Sequence, residues 1–279
     1  MRTFLFVGIL FTVFSINSLS GQLFYSSEDK ITFDETIELL QSSKAESYGD
    51  TLVMSGKLFL GIPYVEKTLE KGLPEKLVIN LRGMDCTTFV ENTLAFSLIS
   101  RQRNNDFEHF ARKLRTIRYR DGKLIDYPSR LHYFTDWIRN NNEKGIVKNI
   151  TADLDGEIIQ KDINFMGTHR DLYPALASDA HFKEIRKTEE ELSSLPYCYL
   201  PQHKINSQEE NIQNGDVIAL TTSIKGLDVT HTGFAIKIDG RLHLLHASSS
   251  GEVKISEQPL IDYLKKIKNN TGIIVARPL

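Results

Sequence analysis

Between Cys86 and Ser100 the chain holds no glycine or proline, and Val90, Leu94 and Leu98 recur at the i, i+4, i+8 spacing of one helix face. From Gly215 onward the pattern changes to short Val- and Ile-rich runs at 216–221, 231–238, 242–247 and 272–276. Asp239-Gly240 separates the second run from the third, a strong hairpin signal because both residues tolerate positive φ. A buried helix early and antiparallel strands late bury their apolar faces by packing helix on sheet. The expected class is α+β, N-terminal helices packed on a C-terminal antiparallel sheet, in one domain with its core at about 50–100 and 210–279.

Residues 34–41 and 51–60 also have helical spacing, and Gly61-Ile62-Pro63-Tyr64 breaks the second stretch. A short strand over 77–81 leads into a Met84-Asp85-Cys86 corner. The segment 104–205 is mixed, with helices expected over 106–117 and 131–139 and turn signals without a period elsewhere. It reads as a large elaboration on the core. No internal repeat is visible.

Met1-Arg2 is a basic start, 4–16 is an apolar run, and Ser18-Leu19-Ser20 is the small-x-small pattern of a cleavage site. The run is too short to span a bilayer and no basic stop-transfer flank follows it. Residues 1–20 therefore read as a signal peptide, and 21–279 as an exported chain, periplasmic or secreted, without stable membrane insertion. The formal net charge of −2 and the lack of a basic block argue against nucleic acid as a partner. No obligatory protein partner is evident.

Export permits disulfides, yet the chain has only Cys86 and Cys198. One bridge is the plain alternative, but the surroundings of Cys86 point to a reactive thiol, and Cys198 reads as a small buried apolar residue. A thiol near its ordinary pKa of about 8.5 is a weak nucleophile at neutral pH. At a helix start, unpaired N–H groups and the macrodipole favour an anion, worth about one pKa unit, and a histidine must supply the rest. Asp85 fits the N-cap of that helix.

The histidine is His231, on a strand whose alternation puts Gly233 and Ala235 on its own side, so that a helix end can approach. His243 and His246 fall on opposite faces of the next strand. A hairpin turning near 239 pairs positions summing to about 478, which sets His246 beside His231 as the group that orients its imidazole.

Asp85-Cys86-Thr87-Thr88-Phe89-Val90, the strand from His231 to Phe234, and Leu245-His246-Ala247-Ser248 resemble, in that order, the three motifs of the NlpC-type superfamily of papain-like cell-wall cysteine hydrolases. Gly61-Ile62-Pro63-Tyr64 is similar to that superfamily's Gly-x-Pro-Tyr element, whose tyrosine lines the active site. Pro63-Tyr64-Val65, Thr68-Leu69-Glu70, Asn80-Leu81-Arg82, Cys86 to Asn92 and Asp126 to Tyr133 resemble, more closely, the N-acetylmuramoyl-L-alanine amidase-like branch. The resemblance implies a papain-like fold and hydrolysis of the amide between the muramic lactyl group and L-alanine in peptidoglycan fragments (muropeptides). It departs from the wider superfamily where Glu66-Lys67-Thr68-Leu69 replaces a Gly-Gly after the tyrosine. The expected catalytic residues are Cys86, His231 and His246. Tyr64, Asp85, Arg130 and Tyr133 are the candidates for the substrate-binding rim, Arg130 for a carboxylate and Tyr133 for stacking. Neither a metal nor a cofactor is expected.

Four rivals share parts of the pattern, one of them an acyltransferase that would pass the thioester's acyl group to an amine instead of to water. A D-glutamyl endopeptidase would use the same nucleophile, and a non-catalytic wall-binding module would merely bury the cysteine. A zinc site could be drawn from His243, His246 and Asp216 or Asp228, but i and i+3 diverge on a strand. His109, His132, His169, His181 and His203 lack ligand spacing and stay unassigned.

Overall fold

A computed structural model describes residues 23–279, so the expected leader at 1–20 lies outside the described residues. In chain order the first elements are β1 (Leu23–Phe24), α1 (Ser27–Ser42), α2 (Tyr48–Lys57), β2 (Leu77–Val78), α3 (Cys86–Ser100), α4 (Phe107–Arg118) and α5 (Phe134–Glu143). Next come β3 (Val147–Asn149), β4 (Glu157–Ile159), α6 (Phe165–Thr168), α7 (Asp179–Ser194), β5 (Tyr197–Pro201) and α8 (Gln202–Gln208). The chain closes with β6 (Val217–Thr222), β7 (Val229–Ile238), β8 (Arg241–Ala247), β9 (Val253–Ile255), α9 (Leu260–Lys265) and β10 (Asn270–Pro278).

The fold is α+β. Its antiparallel sheet runs β4-β5-β10-β6-β7-β8-β9, with β3 also paired to β10, while β1 and β2 form a separate parallel pair. Side-chain alternation splits the sheet into two buried faces. Val217, Ala219, Phe234, Ile236, Leu245 and Ala247 meet the helices α1 to α5. Ile218, Leu220, Ala235, Leu242 and Leu244 meet Ile205 of α8 and Leu260 and Leu264 of α9. Burial on both faces is why these strands read as nearly continuous apolar runs.

Helix α3 starts at Cys86, as the sequence predicts, but it is not one-sided. Residues 88–97 are all buried, because α1, α2 and α4 cover one side of the helix and β7 and β8 the other. Phe89 meets Phe234 with ring centroids 5.9 Å apart, and Phe96 meets Phe110 at 4.5 Å. Each such buried aromatic or aliphatic side chain contributes about 1.5–3 kcal/mol. Glu91 sits in this apolar setting only because Arg118 Nε reaches it at 2.6 Å and the Trp137 indole at 3.3 Å.

The 104–205 segment does more than decorate. α4 and α5 place Phe110, Leu114, Trp137 and Ile138 in the main core, and β3 and β5 extend the sheet. A second small core of Tyr127, Tyr133, Ile163, Met166, Leu176, Ile185 and Leu192 lies under α6 and α7. Helix α7 escapes a reading by periodicity because its buried residues are Ile185, Glu189 and Leu192, one of them charged. No helix among the described residues is long and apolar enough to cross a membrane.

Candidate active site

The corner before Cys86 is held from both sides. Met84 N–H donates to the Pro63 carbonyl at 3.1 Å, Val65 N–H to the Met84 carbonyl at 3.1 Å, and Tyr64 N–H to the Gly251 carbonyl at 2.7 Å. Asp85 then caps α3. Its carboxylate accepts from Thr88 N–H at 2.8 Å, and its own N–H donates to Thr88 Oγ1 at 2.9 Å. Asp85 thus fixes the direction of the helix, and Cys86 becomes its first residue.

The histidines meet where a ladder ends. Asp239 and Gly240 turn with φ of 49° and 78°, the positive values a two-residue hairpin of this type requires. The rungs run from Ile238 opposite Arg241 to Phe234 opposite Leu245, so paired numbers sum to 479, one more than the turn signal predicts. His231 and His246 lie beyond the last of these rungs. A register shift between Leu220 and Thr221 on β6 leaves Thr230 as an extra residue beside His231. His231 Nε2 lies 2.6 Å from His246 Nδ1, with the two rings nearly perpendicular at 85°.

Gly233 serves a different neighbour from the one expected. A Cβ there would sit 2.6 Å from the Leu245 carbonyl oxygen and 2.9 Å from His246 Cβ. The missing side chain therefore lets β8 bring His246 up to His231; it does not make room for the helix end.

Cys86 and His231 line one cleft of about 140 Å³, together with Thr87, His132, Tyr133, Phe165, Tyr173, Asp228 and Thr232. Cys86 and Cys198 are both free thiols. A larger cavity of about 390 Å³ lies elsewhere, lined by Thr135, Arg139, Tyr197 and Cys198, and holds no histidine. Cys198 is half-buried on β5 and not the fully buried residue expected, because the neighbour on its outer side is the three-residue strand β4.

Electrostatics in the cleft works against the expected thiolate. Burial, then the Asp85 charge, pushes the Cys86 thiol up to about 12, and the Thr232 backbone N–H and Thr87 only partly oppose this. Burial pulls His231 down to about 4. Burial, with His231 and Lys254 adding to it, pulls His246 down to about 3. Desolvation thus opposes the helix-start effect and disfavours the charged form of all three groups. If His231 Nε2 donates to His246 Nδ1, His231 Nδ1 is the nitrogen left to take a proton. His246 Nε2 then carries its proton without a hydrogen-bond partner among the described residues. The His246 ring meets Tyr263 of α9 edge-on at 5.5 Å.

The rim candidates divide. Tyr64 is half-buried near Cys86; burial, Cys86 and Asp85 raise its pKa, so its hydroxyl stays a neutral donor. Tyr133 lines the cleft with its ring, but its hydroxyl donates to Glu189 at 2.7 Å and accepts from Met166 N–H at 2.9 Å. Arg130 is buried behind Thr87, bound to Glu70 at 2.7 Å, with Glu75 at 3.5 Å and the Tyr127 ring beneath it. That charge is already met by two carboxylates of the protein, which leaves it less to offer a substrate carboxylate. His243 donates through Nδ1 to the Ser256 carbonyl at 2.9 Å, apart from the pair.

Three residues near the site have no role in it on the sequence alone: Asp228 enters there only as a rival zinc ligand, His132 stays unassigned, and Tyr263 is not named. Asp228 anchors the start of β7 to α5, accepting from Thr135 N–H and Oγ1 at 2.8 Å each and from Val229 N–H at 2.7 Å. His132 and Tyr263 complete the surroundings. The i, i+1, i+4 spacing of Leu260, Ile261 and Leu264 was the one signal available for α9.

Fold and site together define an α+β protein in which a helix-start cysteine shares a cleft with a histidine that is bonded to a second histidine behind it. The chain belongs to the AmiA-like family, described as N-acetylmuramoyl-L-alanine amidase-like, whose model matches residues 54–273. It is similar to an N-acetylmuramoyl-L-alanine amidase from Bacteroides uniformis, 40% identical over 83% of this chain and 99% of that one, with a TM-score of 0.80. A Bacteroides fragilis protein given a provisional xylanase name is 44% identical over 80% of this chain and 99% of that one, with a TM-score of 0.77. A Legionella pneumophila protein, 24% identical over 90% and 95% with a TM-score of 0.66, shares the fold. No curated protein matches the chain.

Proposed function

We propose that the protein is a peptidoglycan-fragment amidase of the NlpC-type, papain-like cysteine hydrolases, cleaving the amide between the muramic lactyl group and L-alanine. The observation that carries this reading is the placement of Cys86 at the first turn of α3 in the same cleft as His231, whose Nε2 is tied to His246 at 2.6 Å. The family description and the name of the Bacteroides uniformis neighbour supply the bond.

In this reading Cys86 Sγ attacks the lactyl carbonyl while its proton passes to His231 Nδ1. Burial disfavours the charged form of both groups, so in this reading the transfer accompanies attack. The N–H groups at the start of α3 and the Tyr64 hydroxyl stabilise the tetrahedral oxyanion. His231 returns the proton to the nitrogen of L-alanine, the C–N bond breaks, and a thioester remains on Cys86. Water, deprotonated by His231, attacks the thioester; the lactyl carboxylic acid leaves and the thiol is restored. His246 holds the His231 ring through both steps.

A glycosidase, suggested by the name of the Bacteroides fragilis neighbour, would need two carboxyl groups flanking the bond, about 5–9.5 Å apart. Among the described residues lining the cleft there is one, Asp228, and its oxygens already accept three hydrogen bonds.

Mass spectrometry of a defined muropeptide after incubation tests the reading. A split at the lactyl–alanine bond by wild type, absent with Cys86→Ala, supports it. A split inside the peptide makes the enzyme an endopeptidase, and full activity of Cys86→Ala removes cysteine chemistry. The reading extends to export, on the leader pattern of residues 1–20. A mature N-terminus near residue 21 in the periplasm or medium supports that step, and an intact Met1 in the cytosol overturns it.

A further inference from the structure

The cleft wall opposite β7 comes from the 127–173 segment, and within it one polar group has a fixed orientation and no assigned task. His132 donates through Nε2 to the Tyr127 carbonyl at 2.9 Å, and its ring lies on Tyr127 with centroids 4.4 Å apart. These two contacts lock both the plane and the tautomer: with the proton on Nε2, Nδ1 is an acceptor and nothing else. Among the described residues Nδ1 has no hydrogen-bond partner, and His132 lines the same cleft as Cys86 and His231. Burial around the ring, with the Arg130 charge adding to it, disfavours the protonated imidazole and favours the acceptor form.

We propose that His132 Nδ1 accepts a hydrogen bond from the muropeptide, and that His132 is a substrate-binding and specificity residue of this enzyme. The inference rests on the amidase reading and deepens it. An acceptor that cannot donate selects a substrate N–H or O–H and rejects a carbonyl at the same place, because two lone pairs facing each other leave both unpaired. Two donors on a muropeptide have this chemistry: the amide N–H that follows L-alanine, and a hydroxyl of the sugar. The half-buried rings of Phe165 and Tyr173 in the same wall offer apolar faces of the kind either a peptide or a pyranose can cover.

Steady-state kinetics on full-length mature enzyme separates the outcomes. His132→Gln retains an amide N–H near the position of Nε2, so it can keep the Tyr127 contact, and it removes the acceptor at Nδ1. KM should rise about tenfold, the effect of one hydrogen bond, with kcat and its pH profile unchanged. Two substrate analogues test the same contact in the wild type without altering the fold: a depsipeptide with oxygen in place of the N–H after L-alanine, and a lactyl-peptide lacking the sugar. The analogue missing the relevant donor should lose the same factor on wild type and no further factor on His132→Gln. Wild type that cleaves the muropeptide while His132→Gln and both analogues show unchanged KM overturns this inference alone. Wild type that leaves the muropeptide whole overturns the amidase reading and this inference with it.

Discussion

Cys86 and Cys198 are both free, and each lines a cavity, yet the larger cavity belongs to Cys198. Cys198 lies within a strand, opposite Ile158 of β4, with no imidazole in its cavity. Cys86 opens a capped helix, faces the Thr232 N–H, and shares its cleft with a histidine that a second histidine holds. Under the proposed reading, the comparison teaches that volume does not mark the reactive thiol. What distinguishes Cys86 is the set of oriented donors and bases around its half-buried sulfur, which could take up the proton and the charge of the proposed reaction.

Removing each sulfur gives the sharpest contrast. Cys86→Ala should lower kcat by at least about 10³-fold, since the nucleophile is lost, while Cys198→Ala should leave kcat within about twofold. Muropeptide turnover by the two variants, with circular dichroism to show both folded, makes the measurement; equal losses would erase the distinction. A smaller effect is expected at the orienting histidine. His246→Ala leaves His231 free to rotate and should cost about 10²-fold in kcat, with KM little changed and His246→Asn partly restoring the rate. A loss confined to KM would move His246 from the proton machinery to the substrate rim.

The same burial acts on stability. His231, His246 and His132 are held at about 4, about 3 and about 3, against an ordinary value near 6.5. Below about pH 6.5 the unfolded chain takes up protons that the folded chain refuses, so stability is complete above that pH and falls as the pH drops toward 4. The Cys86 thiol runs the other way: held up to about 12, it stabilises the fold below the ordinary thiol range and that contribution fades as the pH rises toward 12. Urea midpoints against pH should slope on the acid side for wild type and less for His246→Asn, and Cys86→Ala should flatten the alkaline side alone. An acid slope unchanged by His246→Asn would mean that histidine burial is not its cause.

Much of the site was legible because local chemistry specifies it. Asp85 before a stretch without glycine or proline marks the start of α3, and Asp239-Gly240 sets the hairpin that carries His246 back to His231. The choice of His246 over His243 needed strand alternation and the hairpin register together. Tertiary cover was not legible. It decides the direction of the Cys86 shift, the neutralisation of Arg130 by Glu70 and Glu75, and the role of Gly233. Helix α9, which brings Tyr263 to His246, spans six residues, too few to establish a period, and the buried stripe of α7 includes a glutamate. His132 was hidden for a similar reason: its orientation comes from a carbonyl and a ring on the preceding turn.

Two glycines extend the comparison to its finest grain. A Cβ on Gly156 would sit 2.5 Å from Cys198 Sγ and 2.6 Å from the Thr151 carbonyl oxygen, while one on Gly233 would meet the Leu245 carbonyl and His246 Cβ at 2.6 and 2.9 Å. Both contacts include backbone, which cannot swing aside as a side-chain tip does, so Gly156→Ala and Gly233→Ala should each destabilise by about 1–3 kcal/mol. Their effects on turnover should part. Gly233→Ala pushes β8 away and lengthens the 2.6 Å contact between His231 and His246, so kcat should fall even for enzyme that is fully folded. Gly156→Ala strains only the surroundings of Cys198, and its folded fraction should turn over at the wild-type rate. Denaturant midpoints read the shared effect, and kcat at a temperature where both variants are folded reads the divergent one. A Gly156→Ala enzyme that loses kcat as Gly233→Ala does would show that the two thiol regions are mechanically joined, and the division drawn between them would have to be given up.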